Sequence, residues 1–353
     1  MEVLERLLSD LYACLNTNGV DGSGADPKAI VTSIDMVVYS ETVGDTFEQE
    51  LVADLLFRSN MPPSLFKFLD GSVRSKDKPI VQAKLSIMKF IAAYVKYSGG
   101  SIAAGGVAGA VFAHSYDLYR REESREFKAT CLLPIKKLLS AAIRDRGVGA
   151  ASSWFSIPVE SGELGSLITH LLEELGASKQ SKGGRCEILK VLGLLVRLYP
   201  DTEVVANAVP RVQDACDRLL AASFSSSSGA EPDFLAIAGC FSCLDHCMFD
   251  FEARYASSTK SAQLWGWLLQ AVSSVRAEDT HRYAIAGKAL RLIENHAAIF
   301  RPIVAGNIRA TYEQIEVGSM SVVRWLFRCV VCRHLIFITL ITCRPVCGRK
   351  RRA

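Results

Sequence analysis

The stretch Cys186-Glu-Ile-Leu-Lys-Val-Leu-Gly-Leu-Leu-Val-Arg-Leu-Tyr199 is apolar at 188, 189, 191, 192, 194, 195, 196 and 198, and it stops at Pro200. That spacing fills one broad face of a helix, and proline cannot continue the helix. A second amphipathic run, 204–220, follows after a short turn. The same two-helix phrase recurs at 234–251 with 261–275, and at 281–300 with 303–315. Toward the N terminus it is found at 79–97 with 102–119, and at 126–146 with 164–175. First helices of successive pairs are therefore expected near 79, 126, 184, 233 and 280, at intervals of about 47–58 residues. Pairs at that interval, with no strand pattern between them, predict an all-α fold. The expected architecture is an α-solenoid (superhelix) of HEAT- or armadillo-like antiparallel helix pairs, each burying its apolar face by stacking on its neighbours.

The remaining chain fits around these pairs. Residues 2–16 open as a helix, and Gly19-Val-Asp-Gly-Ser-Gly-Ala-Asp-Pro27 breaks it with turn formers. Helices are expected at 28–39, 45–57 and 64–69, the last after Met61-Pro-Pro63, because proline suits a first helical turn. Leu192, Leu195, Leu198, Ile237, Cys240, Leu244, Tyr283, Leu290 and Ile293 are the expected core of the C-terminal pairs. Residues 1–320 form the expected solenoid. Residues 321–353 are a basic, Cys-rich tail without acids or a clear apolar face, expected to be disordered or non-native, such as a translated intron or a truncated gene model.

Charge is unevenly placed. The net +4 comes from that tail, whose eight Lys/Arg leave 33 basic against 37 acidic residues in the body, about −4. Any nucleic-acid affinity of the body must therefore come from local patches. Eleven cysteines without secretory features predict reduced thiols inside the cell. No uncharged stretch reaches the roughly 18 residues of a membrane span, so no membrane partner is expected.

Motifs for chemistry are sparse. Cys240-x-x-Cys243-x-x-His246-Cys247 has metal-like residue types. On a helix, however, the three cysteines share one face and His246 leaves it, so the expected role is core packing and the expected metal is none. Cys329/Cys332 with Cys343/Cys347 has a ribbon-like spacing within the tail. The glycines of 99–109 lack the Lys-Ser/Thr and preceding strand of a phosphate loop. No Ser occupies a Gly-x-Ser-x-Gly elbow, and the six histidines are scattered, so no catalytic residue and no cofactor are expected. Basic residues do cluster at helix ends: Arg74, Lys76 and Lys78; Arg120 and Arg121; Lys136, Lys137, Arg144 and Arg146; Lys179, Lys182 and Arg185. Successive turns of a solenoid lie along one rim, where such clusters would form a phosphate-facing stripe for DNA. The competing reading is ordinary solvated surface. Aromatics do not interleave with the clusters, so backbone contact without base reading is the most they would support. Arg349–Arg352 has the composition of a nuclear-import signal.

Three ordered segments carry a resemblance: Ile188–Pro200 of the opening stretch; Leu235-Ala-Ile-Ala-Gly-Cys-Phe-Ser-Cys-Leu244; and His281-Arg-Tyr-Ala-Ile-Ala-Gly-Lys-Ala-Leu-Arg-Leu-Ile-Glu-Asn-His-Ala-Ala-Ile-Phe300. In order and spacing they resemble the N-terminal arm of the DNA-dependent protein kinase catalytic subunit family, over roughly residues 1–317. The resemblance implies a fragment of a HEAT-repeat arm in a nuclear kinase. Its implied partners are double-stranded DNA ends, the Ku heterodimer and the remainder of the kinase chain, in non-homologous end joining. No His-Arg-Asp loop and no Asp-Phe-Gly occur here, so the family's catalytic residues have no positions to land on and the chain is expected not to be an enzyme. The alternative function is a generic α-solenoid adaptor holding a protein partner in its concave groove. An enzyme or zinc protein rests on the cysteines alone.

Overall fold

The computed structural model describes residues 2–16, 26–42, 55–56, 61–73, 75–95, 107–146, 162–177, 181–224, 233–255, 258–273 and 280–306. Among them are thirteen helices and no strand. They are α1 (Glu2–Asn16), α2 (Pro27–Thr42), α3 (Met61–Gly71), α4 (Lys78–Val95), α5 (Val107–Arg121), α6 (Arg125–Arg146) and α7 (Glu163–Gly176). They continue with α8 (Lys182–Leu198), α9 (Glu203–Phe224), α10 (Phe234–Tyr255), α11 (Ser258–Ser273), α12 (Thr280–Asn295) and α13 (Ala297–Gly306). The fold is all-α and its helices stack in pairs, as in an α-solenoid. The expected helix at 45–57 lies outside the described residues except for 55–56, and the tail lies wholly outside them.

Short polar residues start the helices by satisfying amides that have no intrahelical partner. Asp26 Oδ1 accepts from the Lys28 amide at 3.0 Å, with Pro27 in the first turn. Ser181 Oγ accepts from Gly184 N at 3.0 Å, and Asp233 Oδ1 from Ala236 N at 3.1 Å.

The chain divides into two compact units, Met1–Arg218 and Leu219–Ala353. In the first, α2, α4, α6 and α8 stack in one layer, each packing on the next. In the other layer α1 packs on α3, and α3 on α5. Within pairs, α1 packs on α2, α3 on α4, α5 on α6, and α7 on α8. In the second unit α10 stacks on α12, while α11 packs on α12 and α13. Side-chain contacts between successive repeats join residues 46–54 apart: Lys128 with Glu174, Arg121 with Asp70, and Tyr116 with His170; in the second unit they are Lys288 with Ser242 and Asn295 with Asp245. Such a constant offset means that equivalent helices run parallel, one repeat apart.

The pairing corrects the sequence reading by one helix. Residues 79–97 were expected to pack as a pair with 102–119, whereas α5 pairs with α6 and α4 stacks on α6 from the neighbouring repeat. Two physical causes set this register. Only residues 122–124 join α5 to α6, which folds the two back on each other. α6 is also apolar around much of its girth, burying Phe127, Cys131, Leu132, Ile135, Leu138, Leu139, Ala141 and Ala142. It can therefore pack on α4, α5 and α8 together. In the second unit α11 likewise packs on α12 more than on α10.

The core is mostly where the periodicity placed it. Leu192, Leu195, Leu198, Ile237, Cys240, Leu244 and Ile293 are all buried. Tyr283 and Leu290 are corrections, being only half-buried, because α12 turns Ile285, Ala286, Ala289, Leu292 and Ile293 inward instead. The helix expected over 281–300 also breaks, at His296. There the imidazole Nε2 lies 3.1 Å from both the carbonyl oxygen and Oδ1 of Asp245, and Asn295 Nδ2 donates to Asp245 Oδ1 at 2.9 Å. These bonds to α10 replace the next helical turn. α10 itself is long and apolar enough to cross a membrane, but most of its apolar residues face the core, Leu235 and Phe249 excepted, and it carries Asp245, His246 and Asp250.

Candidate functional site

One edge of the first unit gathers the turns that open α4, α6 and α8. The α3–α4 turn meets the α5–α6 turn through Arg121 Nη2 on Asp70 Oδ1 at 2.5 Å and through Lys84 Nζ on Glu122 Oε2 at 2.5 Å. The start of α6 meets the end of α7 through Lys128 Nζ on Glu174 Oε1 at 2.8 Å. The N-termini of all three helices thus share that edge, where their dipoles favour anions.

The seven basic candidates whose side chains are described do not form one patch. Lys76, Lys78 and Lys182 are exposed on the turn edge, and Arg185 is half-buried in the first turn of α8. α4 and α8 flank α6, so their starts are two helix-packing steps apart, roughly 16–20 Å. Lys136 lies further along α6 and is committed: its ammonium binds Glu187 Oε2 on α8, and Glu187 Oε1 accepts from Lys190 Nζ at 2.6 Å. Burial alone would raise the Glu187 carboxyl, but the two ammonium groups outweigh it and hold it below the usual carboxylate range. Lys137 is half-buried and Arg144 exposed, another eight residues along the helix from Lys136, about 12 Å nearer the opposite edge. Arg74, Lys179 and the Arg146 side chain lie outside the described residues. Asp77, Glu123 and Glu126 are exposed on the same edge and dilute its positive charge.

A second feature was not legible in the sequence. In the layer of α1, α3 and α5 the space between α5 and α7 opens into a cleft of about 840 Å³, with Tyr116 reaching across to His170. Its walls are one face of α5 (Phe112, Tyr116, Arg120) and one face of α7 (Glu163, Leu167, His170). Tyr116 Oη lies 2.9 Å from His170 Nδ1, and the Tyr119 ring stands edge-on to His170 with centroids 5.7 Å apart. Burial pushes the His170 imidazole below its ordinary value and the Tyr116 phenol above its own. Two aromatic and two basic residues at 112, 116, 120 and 121 were the available signal.

Cys240, Cys243 and Cys247 are all buried on one face of α10, while His246 is half-buried off it. The Cys243 hydrogen bond and then burial push the Cys247 thiol well above its ordinary value. No group of three or more His, Cys, Asp or Glu is placed to hold a metal among the described residues.

The family model described as DNA-PKcs, N-terminal, matches residues 50–322. The chain belongs to the DNA-PKcs N-terminal family. Its residues also align, at 26% identity over 290 residues, with the DNA-dependent protein kinase catalytic subunit of Dictyostelium discoideum. That alignment takes in 81% of this chain and 6% of the relative, so the chain spans a small fraction of the relative's length. The matching family region is the N-terminal one, not the kinase domain. As a member of the DNA-PKcs N-terminal family it has α3 through α13, including the turn edge and the cleft, inside the matched stretch.

Proposed function

We propose that the chain is a non-catalytic scaffold segment in the repair of DNA double-strand breaks by non-homologous end joining. It acts as part of the N-terminal arm of a DNA-dependent protein kinase catalytic subunit, in the nucleus. It contacts DNA ends and the Ku heterodimer, and it joins the remainder of the kinase chain. The observation that carries this reading is the family match lying over stacked helix pairs whose turn edge presents Lys76, Lys78 and Lys182. These are single ammonium groups on helix starts, suited to phosphates and not to bases. With acids on the same edge and a body charge of about −4, binding is weak, micromolar or poorer, and blind to sequence.

The test is fluorescence anisotropy of the full chain with a labelled duplex, from about 50 to 200 mM salt. Changing Lys76, Lys78 and Lys182 to Ala should lower the slope of log affinity against log salt by up to roughly 0.9 per lost contact. Lys137, Arg144, Arg146, Lys179, Arg185 and Arg74 follow as second-line changes, and Lys136→Ala is expected to act through stability instead. An unchanged slope in the triple variant would remove the edge from the DNA-contacting surface. The α5–α7 cleft favours the second reading, an adaptor that holds a protein partner, and that reading would then stand.

A further inference from the structure

Directly beneath the turn edge lies a buried ionic group that the family match leaves without a role. Lys84, on α4, is fully buried. Its Nζ donates to the Ser72 carbonyl at 3.3 Å, the Val73 carbonyl at 3.2 Å and Glu122 Oε2 at 2.5 Å, which uses all three protons. The same ammonium sits 4.4 Å from the Phe127 ring centroid. Glu122, whose side chain is 3% exposed, accepts from the amides of Glu123 and Ser124 through Oε1, both at 3.1 Å. Ser72 Oγ donates to the carbonyls of Phe68 and Leu69, at 2.7 and 3.1 Å.

Burial does not require this chemistry. An apolar pair of the same volume usually packs as stably as a buried ion pair, since taking two charges out of water offsets their attraction. An apolar pair cannot hold backbone carbonyls. The carbonyls that Lys84 holds belong to the turn that carries Lys76 and Lys78, and the carboxylate it holds belongs to the turn that starts α6. We propose that Lys84 and Glu122 are a positioning pair, which fixes the turn presenting Lys76 and Lys78 against the start of α6 and so sets where that edge can meet phosphates. Its bearing on DNA rests on the reading of the edge given above; its hold on the turn does not.

Two measurements on the full chain separate these. The neutral double variant Lys84→Met with Glu122→Leu should keep its far-ultraviolet spectrum and unfold cooperatively, with a lowered midpoint because the Val73 carbonyl and the Glu123 and Ser124 amides lose these side-chain partners. Its Ser75 amide, bonded to the Ser72 carbonyl at 3.0 Å, should exchange hydrogen at least tenfold faster, and so should the Asp77 amide. Its salt slope for duplex DNA should fall to that of Lys76→Ala with Lys78→Ala, and adding those two changes should lower it no further. Lys84→Met with Glu122→Gln, which is also neutral and keeps a side-chain oxygen for the Glu123 and Ser124 amides, serves if the first double variant does not fold. Unchanged exchange at Ser75 and Asp77 in a folded variant would overturn the positioning role. So would a full slope in that variant while Lys76→Ala with Lys78→Ala lowers it in the parent chain. If those two changes leave the parent's slope unaltered, the reading of the edge fails, and the exchange rates alone decide the role of the pair.

Discussion

The register of α12 can be tested by two leucines two residues apart. Leu292 is wholly buried and Leu290 half-buried, although simple periodicity favours Leu290. Leu292→Ala removes three carbons from a packed layer. At about 0.8 kcal/mol per buried carbon, the transfer cost is about 2.4 kcal/mol. The cavity left between α10, α11 and α12 carries the total toward 5 kcal/mol, depending on how far it collapses. Leu290→Ala loses about half the transfer cost and leaves no closed cavity, so about 1 kcal/mol. The gap of at least about 1.4 kcal/mol is tenfold in the unfolding equilibrium. Urea unfolding would read it through Trp265 and Trp267 of α11, both buried, with Trp154 and Trp325 changed to Phe so that only α11 reports. The slope against urea must match between variants for midpoints to be compared. Equal losses, or a larger loss for Leu290→Ala, would mean that α12 is turned by about 200° from the face described.

Three further outcomes follow from the groups between helices. Glu187 has a folded value below its unfolded one, so its contribution is complete above about pH 4.5 and is lost as pH falls through the folded value; Glu187→Gln should flatten that acid limb of a stability-against-pH curve. Burial lowers His170 too, so its contribution is complete above about pH 6.5 and declines as the unfolded chain takes up a proton below it; a chain with His170→Gln should lack that decline below about pH 6.5. Brief alkylation of the native chain followed by peptide mapping should label half-buried Cys14 before Cys240, Cys243 and Cys247, and faster labelling of Cys247 would contradict its raised thiol and full burial.

How much of this could be read from the sequence differs by level. Helix spans were legible because each rests on local chemistry: apolar residues on one face, Pro200 as a stop, and Asp26, Ser181 and Asp233 as caps. Which helices pair was not, since it depends on a three-residue link and on the three-sided burial of α6. The break at His296 was hidden because its cause, Asp245, lies about fifty residues away. Lys84 could have been suspected: it falls on the stripe with Ile87, Met88 and Ile91, where a solvated lysine has no place. Nothing local marked Glu122 as its partner, or Glu187 as the partner of Lys136. Those pairings exist only once one repeat is stacked on the next.

The sidedness of the links has a consequence for how such a chain can change length. The links within pairs, at 122–124 and between 177 and 181, are short, and the helix ends they join lie on the edge that ion pairs stitch together. The stretches between pairs, 96–106 and 147–161, are longer, and the helix ends they join lie on the opposite edge. Sequence drift between one repeat and the next can therefore accumulate on one side without disturbing the other. A reporter peptide or an added domain spliced between 147 and 161 should leave the stack intact, whereas a single residue added between Glu122 and Ser124 would separate the carboxylate from its lysine and loosen two repeats at once.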